Sequence, residues 1–136
     1  MDERRIKTKI KELEKYLAET TDLQPSTIDD YLISLKNRRS LERELQIMIE
    51  CVIDICYLLV SELSLGPPDD DESMLDLLSG KLETIENVKA MKGFRNILVN
   101  KYGEVDDNRV YQYASERMSD FDEFINDVLS VIEQNK

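Results

Sequence analysis

Gly93-Phe94-Arg95-Asn96-Ile97-Leu98-Val99-Asn100-Lys101-Tyr102 decides how this chain is read. The segment sets a cation, two carboxamides and a phenol at the end of an otherwise amphipathic helical pattern. Successive residues of an α-helix advance by about 100°, so positions four or seven apart share a face. Asn96 and Asn100 therefore stack one turn apart, and Arg95 and Tyr102 fall on one stripe two turns apart. Gly103 predicts the stop, because glycine takes the left-handed cap conformation without steric cost. Polar groups converging at a helix end suit phosphate recognition, since arginine grips phosphate oxygens through paired N–H donors.

Outward from the motif the chain continues in helical register. The motif helix is predicted from about Leu82 to Lys101, with Ile85, Val88, Met91, Phe94 and Leu98 facing inward. Upstream, Leu45, Met48, Ile49, Val52, Ile55, Cys56, Leu59, Val60 and Leu63 keep the same period from Leu41 to Gly66-Pro67-Pro68, marking the most buried element. A first helix over residues 2–19 carries Ile6, Ile10, Leu13 and Leu17; a short one follows a Ser26 or Thr27 cap to about Lys36. Asn37-Arg38-Arg39-Ser40 reads as a break. Met74, Leu75, Leu77 and Leu78 form another short helix closed by Gly80. Beyond Gly103, Asp106 or Asp107 caps one final helix lined by Val110, Ala114, Met118, Phe121, Ile125, Val128 and Ile132. The expected architecture is all-α: one domain over 1–136, an up-and-down bundle of four main helices plus short ones.

Composition narrows the function classes. Among 136 residues there are only 3 prolines and 4 glycines, and 35% are charged, a helical signature. No apolar leader and no run near the length of a membrane span occurs, so a cytoplasmic protein without membrane contact is expected. Cys51 and Cys56 lie on different faces of one helix and read as buried reduced thiols. The chain has no histidine and no cysteine cluster, so neither a metal nor another cofactor is expected. Asp69-Asp70-Asp71 lacks the alternating ligands and glycine of a calcium loop and reads as helix capping plus solvation. Net charge is −11, which argues against indiscriminate nucleic-acid binding. From Lys81 to Tyr102, however, Lys81, Lys89, Lys92, Arg95 and Lys101 outweigh Glu83 and Glu86, making the motif helix a basic island. Glu50 and Asp54, one turn apart on the central helix, are read either as braces for Arg95 or as solvent-edge residues. Tyr111 and Tyr113 are read as core or interface aromatics.

The motif resembles the signature of the HEPN superfamily in its HepT-like branch: Arg-Asn, three apolar residues, His, one residue, Tyr, usually after Gly-Phe. Every position matches except the histidine, which here is Asn100. Leu41-Glu42-Arg43-Glu44-Leu45-Gln46, with Ile49-Glu50-Cys51 and Asp54-Ile55, resembles the family's central helix. Glu104-Val105-Asp106 with Val110-Tyr111 resembles the start of its last helix. The resemblance implies a dimeric helical toxin of a type VII-like toxin–antitoxin system, a metal-independent endoribonuclease whose motif helices meet at a shared cleft. It also implies an MntA-like nucleotidyltransferase antitoxin that transfers AMP onto the motif tyrosine, with toxin and antitoxin joining in a larger hetero-oligomer.

Carried over residue by residue, Arg95 stabilises phosphate charge and Asn96 positions the phosphate or braces Arg95. Asn100 occupies the histidine position, Lys92 and Lys101 join Arg95 in contacting RNA, and Tyr102 accepts AMP. Histidine moves protons near neutral pH, and such help is worth about 10²- to 10⁴-fold in rate. Asparagine keeps a donor and an acceptor but does not titrate. The chain as written is therefore expected to cut RNA feebly or not at all. The alternative is a non-catalytic helical partner and AMP-acceptor subunit of a minimal nucleotidyltransferase.

Overall fold

A computed structural model describes residues 1–98 and 105–136. Seven helices occur among them, α1 (Arg4–Leu23), α2 (Ile28–Ile33), α3 (Leu35–Glu62), α4 (Asp71–Leu78), α5 (Ile85–Leu98), α6 (Asp107–Glu116) and α7 (Ser119–Gln134), and no strand. The four long helices are α1, α3, α5 and α7, with α2, α4 and α6 as short connectors, so the expected all-α bundle is present. α3 is the hub: α1, α2, α4 and α5 all pack on it. Leu41, Leu45, Met48, Ile49, Ile55, Cys56 and Leu59 are completely buried along its length.

Cross-links between elements fix their directions. The Asp2 amide donates to Glu62 Oε1 at 2.6 Å, while Lys9 Nζ lies 3.5 Å from Asp54 Oδ2 and Thr20 reaches Met48 Sδ at 3.8 Å; α1 is therefore antiparallel to α3. Thr84 meets Asp127, Asn87 meets Glu123, and α5 accordingly runs antiparallel to α7.

Several boundaries differ from the sequence reading: α1 runs on to Leu23, α2 stops at Ile33 and α5 begins only at Ile85, and three further differences change how the chain is divided. Asn37–Ser40 is not a break: α3 runs through it, and the chain turns at Ser34, whose hydroxyl accepts from the Asn37 amide at 3.2 Å. Arg38 and Arg39 look like loop residues in sequence, yet they pair with Asp107 and Glu42, Arg38 half-buried and Arg39 exposed. Glycine does not end α3 either. Ser64 does so, at φ 53°, with Leu65 N donating to Val60 O at 3.1 Å and Ser64 N to Ser61 O at 3.2 Å, the double closure of a Schellman motif. The last helix is two helices parted at Arg117–Met118. Its apolar spacing is continuous, but α6 packs on α2 whereas α7 packs on α5, and two different partners require two directions.

Candidate functional site

α5 is built to present its C-terminal end. The amide and hydroxyl of Thr84 both donate to Asp127 Oδ2, at 2.9 and 2.7 Å, so a carboxylate from α7 closes the start of α5. Ile85, Val88, Met91, Phe94 and Leu98 are buried, the five inward positions expected from periodicity. Phe94 is further fixed by stacking on Tyr113, with ring centroids 3.9 Å apart and planes 5° from parallel. This places both Tyr113 and Tyr111 in packing roles; the Tyr111 hydroxyl donates to Pro25 O at 3.0 Å and its ring sits against Tyr31.

With Phe94 turned inward, Arg95 is carried to the flank that faces α4. Its Nη2 donates to Asp71 Oδ2 at 3.2 Å. The other oxygen of the same carboxylate accepts from the Tyr57 hydroxyl of α3 at 2.6 Å. Tyr57 and Arg95 together hold the Asp71 carboxyl below its ordinary range, while the same bond pushes the Tyr57 phenol up to about 12. Side-chain exposures are 23% for Arg95 and 27% for Asp71, enough burial to restrain the pair and enough access for a ligand.

Asp71 takes the bracing place that the sequence reading offered to Glu50 or Asp54. Asp54 instead lies at the solvent edge beside Lys9, and Glu50 accepts from Gln46 at 3.1 Å. The acidic run does cap a helix as expected: Asp70 and Ser73 form a reciprocal capping box at the start of α4. That local explanation hid the second use of the next residue. The sequence signal for it is Tyr57, the single aromatic of α3, whose phenol on a helix rich in apolar residues calls for a polar partner.

Lys92 and Asn96 come together on the neighbouring flank of α5. With Lys89 and Gly93 they line a groove of about 340 Å³, whose opposite wall on α4 is Glu72, Leu75 and Asp76. The candidate residues Asn100, Lys101 and Tyr102 lie outside the described residues. Where the chain is described again, Asp106 caps α6 and Asp107 Oδ2 sits 3.5 Å from Arg38 Nε of α3. Near that ion pair Glu42 meets Arg39 at 2.7 Å, and Tyr31 is fully buried. Burial pushes the Glu42 carboxyl up, and neighbouring Asp107 adds to the effect against Arg39. The stretch 99–104 is thus flanked by a tether on each side, Arg95 to α4 and Asp107 to α3.

Residues 6–128 match the ribonuclease HepT-like family. The chain belongs to this family. The HepT-like match spans the Arg95 motif, all of α3 and both tethers. A tRNA nuclease HepT from Aphanizomenon flos-aquae (strain 2012/KM1/D3) is 27% identical over 131 residues, covering 93% of this chain and 89% of the relative. A tri-AMPylated HEPN toxin of Shewanella oneidensis, solved in complex with an MNT antitoxin, superposes with a TM-score of 0.81 at 24% identity, covering 98% of this chain and 99% of that one. A second toxin–antitoxin crystal structure, with AMP-PNP, gives 0.81 at 23% identity, covering 94% and 99%. These likenesses establish the HEPN helical fold. Among the described residues no helix of this HepT-like chain is long and apolar enough to cross a membrane.

Proposed function

We propose that this chain is the toxin of a two-gene toxin–antitoxin module, a single-domain HEPN endoribonuclease scaffold silenced by AMP transfer. The observation that carries the reading is Arg95, inside the family match and held partly exposed near the end of α5 by a carboxylate from another helix. A guanidinium so held offsets the charge that gathers on a phosphate during strand cleavage. Asn96 and Lys92, on the adjoining groove wall, serve as flanking phosphate contacts, with Lys101 beyond them. Tyr102 is the AMP acceptor for an MntA-like nucleotidyltransferase. Two copies meeting along α5 complete the cleft. Because a relative is a tRNA nuclease, tRNA is the first substrate to try.

The proton-transfer position is Asn100, and no histidine exists anywhere in the chain. That favours a second reading: a non-catalytic AMP-acceptor subunit. Expression of the chain beside its Asn100→His variant separates the two. Growth arrest with histidine alone supports a nuclease scaffold lacking its proton carrier; arrest with neither supports the acceptor subunit. For the tyrosine, incubation with an MntA-like nucleotidyltransferase and ATP should add AMP, and labelling that persists in Tyr102→Phe refutes the acceptor role.

A further inference from the structure

Arg95 lies on α5, but what orients it comes from two other helices. Arg95 Nη2 is 3.2 Å from Asp71 Oδ2, and Tyr57 donates to Asp71 Oδ1 at 2.6 Å. The carboxylate thus spends one oxygen on each donor. Its backbone is set by the capping box of α4, where Ser73 N donates to Asp70 Oδ1 at 2.8 Å. A rigid line of support therefore runs from α3 through Asp71 on α4 to the guanidinium on α5. Arginine carries five N–H donors, so one spent on Asp71 does not consume the fork that a phosphate needs.

We infer that Asp71, anchored by Tyr57, is the positioning residue of Arg95, fixing the direction in which its guanidinium meets a substrate phosphate. This rests on the phosphate-contact role of Arg95 proposed above. The arrangement has two effects of opposite sign. Aim is gained, and loss of aim by a misplaced group costs about 10²-fold in rate. Ground-state affinity is diminished, because a carboxylate stands beside the anion and also neutralises part of the cation. Removing the negative charge should therefore slow cleavage while tightening binding, a combination that simple loss of structure does not produce.

The test uses the intact chain in its Asn100→His form, with Asp71→Asn, Tyr57→Phe and Arg95→Ala added singly. Cleavage of RNA under single turnover, affinity for an uncleavable 2′-O-methyl oligoribonucleotide, and the guanidinium NMR signals of Arg95 are measured. For Asp71→Asn the expectation is cleavage lowered about 10²-fold with affinity unchanged or raised by up to about fivefold. Rotation about the Arg95 Cζ–Nη bonds, hindered in the parent, should become free. Tyr57→Phe, which changes no charge, should slow cleavage and loosen the Arg95 rotation by less, and leave affinity unchanged. Hindered rotation that survives Asp71→Asn overturns the inference with or without nuclease activity, and so does undiminished cleavage in that variant when Arg95→Ala has none. If Arg95→Ala cleaves like its parent, the phosphate-contact role fails, and the NMR signals alone then decide whether Asp71 orients the guanidinium.

Discussion

A carboxylate that accepts one donor on each oxygen resists protonation, and Asp71 is such a group. Its folded-state ionisation lies below the ordinary range, so its stabilising contribution is present above that range and is lost only as pH falls through the lowered value. The Arg95 tether should accordingly be insensitive to pH between about 5 and 8. Glu42 behaves in the opposite sense. Burial raises it, so its contribution is complete in acid and is lost as pH rises through the raised value. Glu42→Gln keeps a hydrogen-bond acceptor for Arg39 and should melt higher than the parent at neutral pH, with the difference closing on acidification; thermal denaturation at several pH values checks this. Phe94→Ala removes the ring stacked on Tyr113 and should cost about 3–5 kcal/mol in denaturant unfolding. The chemistry of Arg95 is legible in the sequence because its neighbours are local. Asp71 is not, since it lies 24 residues away inside an acidic run with a sufficient local explanation.

Among the elements, the inward faces of α1, α3 and α5 follow from periodicity alone, because burial on one stripe leaves an uninterrupted apolar record. Direction changes leave no such record. The turn at Ser34 and the parting of α6 from α7 lack glycine and proline, and both are set by which helix each segment packs on. Two residues sit against local preference. Ser64 closes α3 at φ 53°, a left-handed conformation that costs a non-glycine residue about 1–2 kcal/mol. Ser64→Gly should recover about 1 kcal/mol in equilibrium unfolding. Gly93 lies within α5, where an added Cβ meets nothing within 4 Å. Gly93→Ala should therefore stabilise an isolated protomer by about 0.5–1 kcal/mol. A loss of stability instead would place another molecule's backbone against that face.

At the scale of the whole molecule, charge is divided unevenly. The chain carries −11, yet Lys89 and Lys92 line the groove between α5 and α4, and Arg95 stands on the adjoining flank of α5 beside Asp71. Binding should therefore be confined to that face. If Lys92, Arg95 and Lys101 each meet one phosphate of a single strand, the logarithm of affinity should fall with the logarithm of salt at a slope of about −2; fluorescence anisotropy across a salt series reads it directly. The proposed pairing of protomers along α5 predicts a dimer in sedimentation at micromolar concentration. The account depends most on Arg95 acting as the phosphate contact of a nuclease scaffold that lacks only its proton carrier. Single-turnover cleavage of tRNA by the chain, by Asn100→His and by Asn100→His with Arg95→Ala tests that claim. Histidine should raise the rate by about 10²- to 10⁴-fold, and Arg95→Ala should abolish the gain. Equal rates with asparagine and histidine, or a gain that survives loss of the guanidinium, would contradict it.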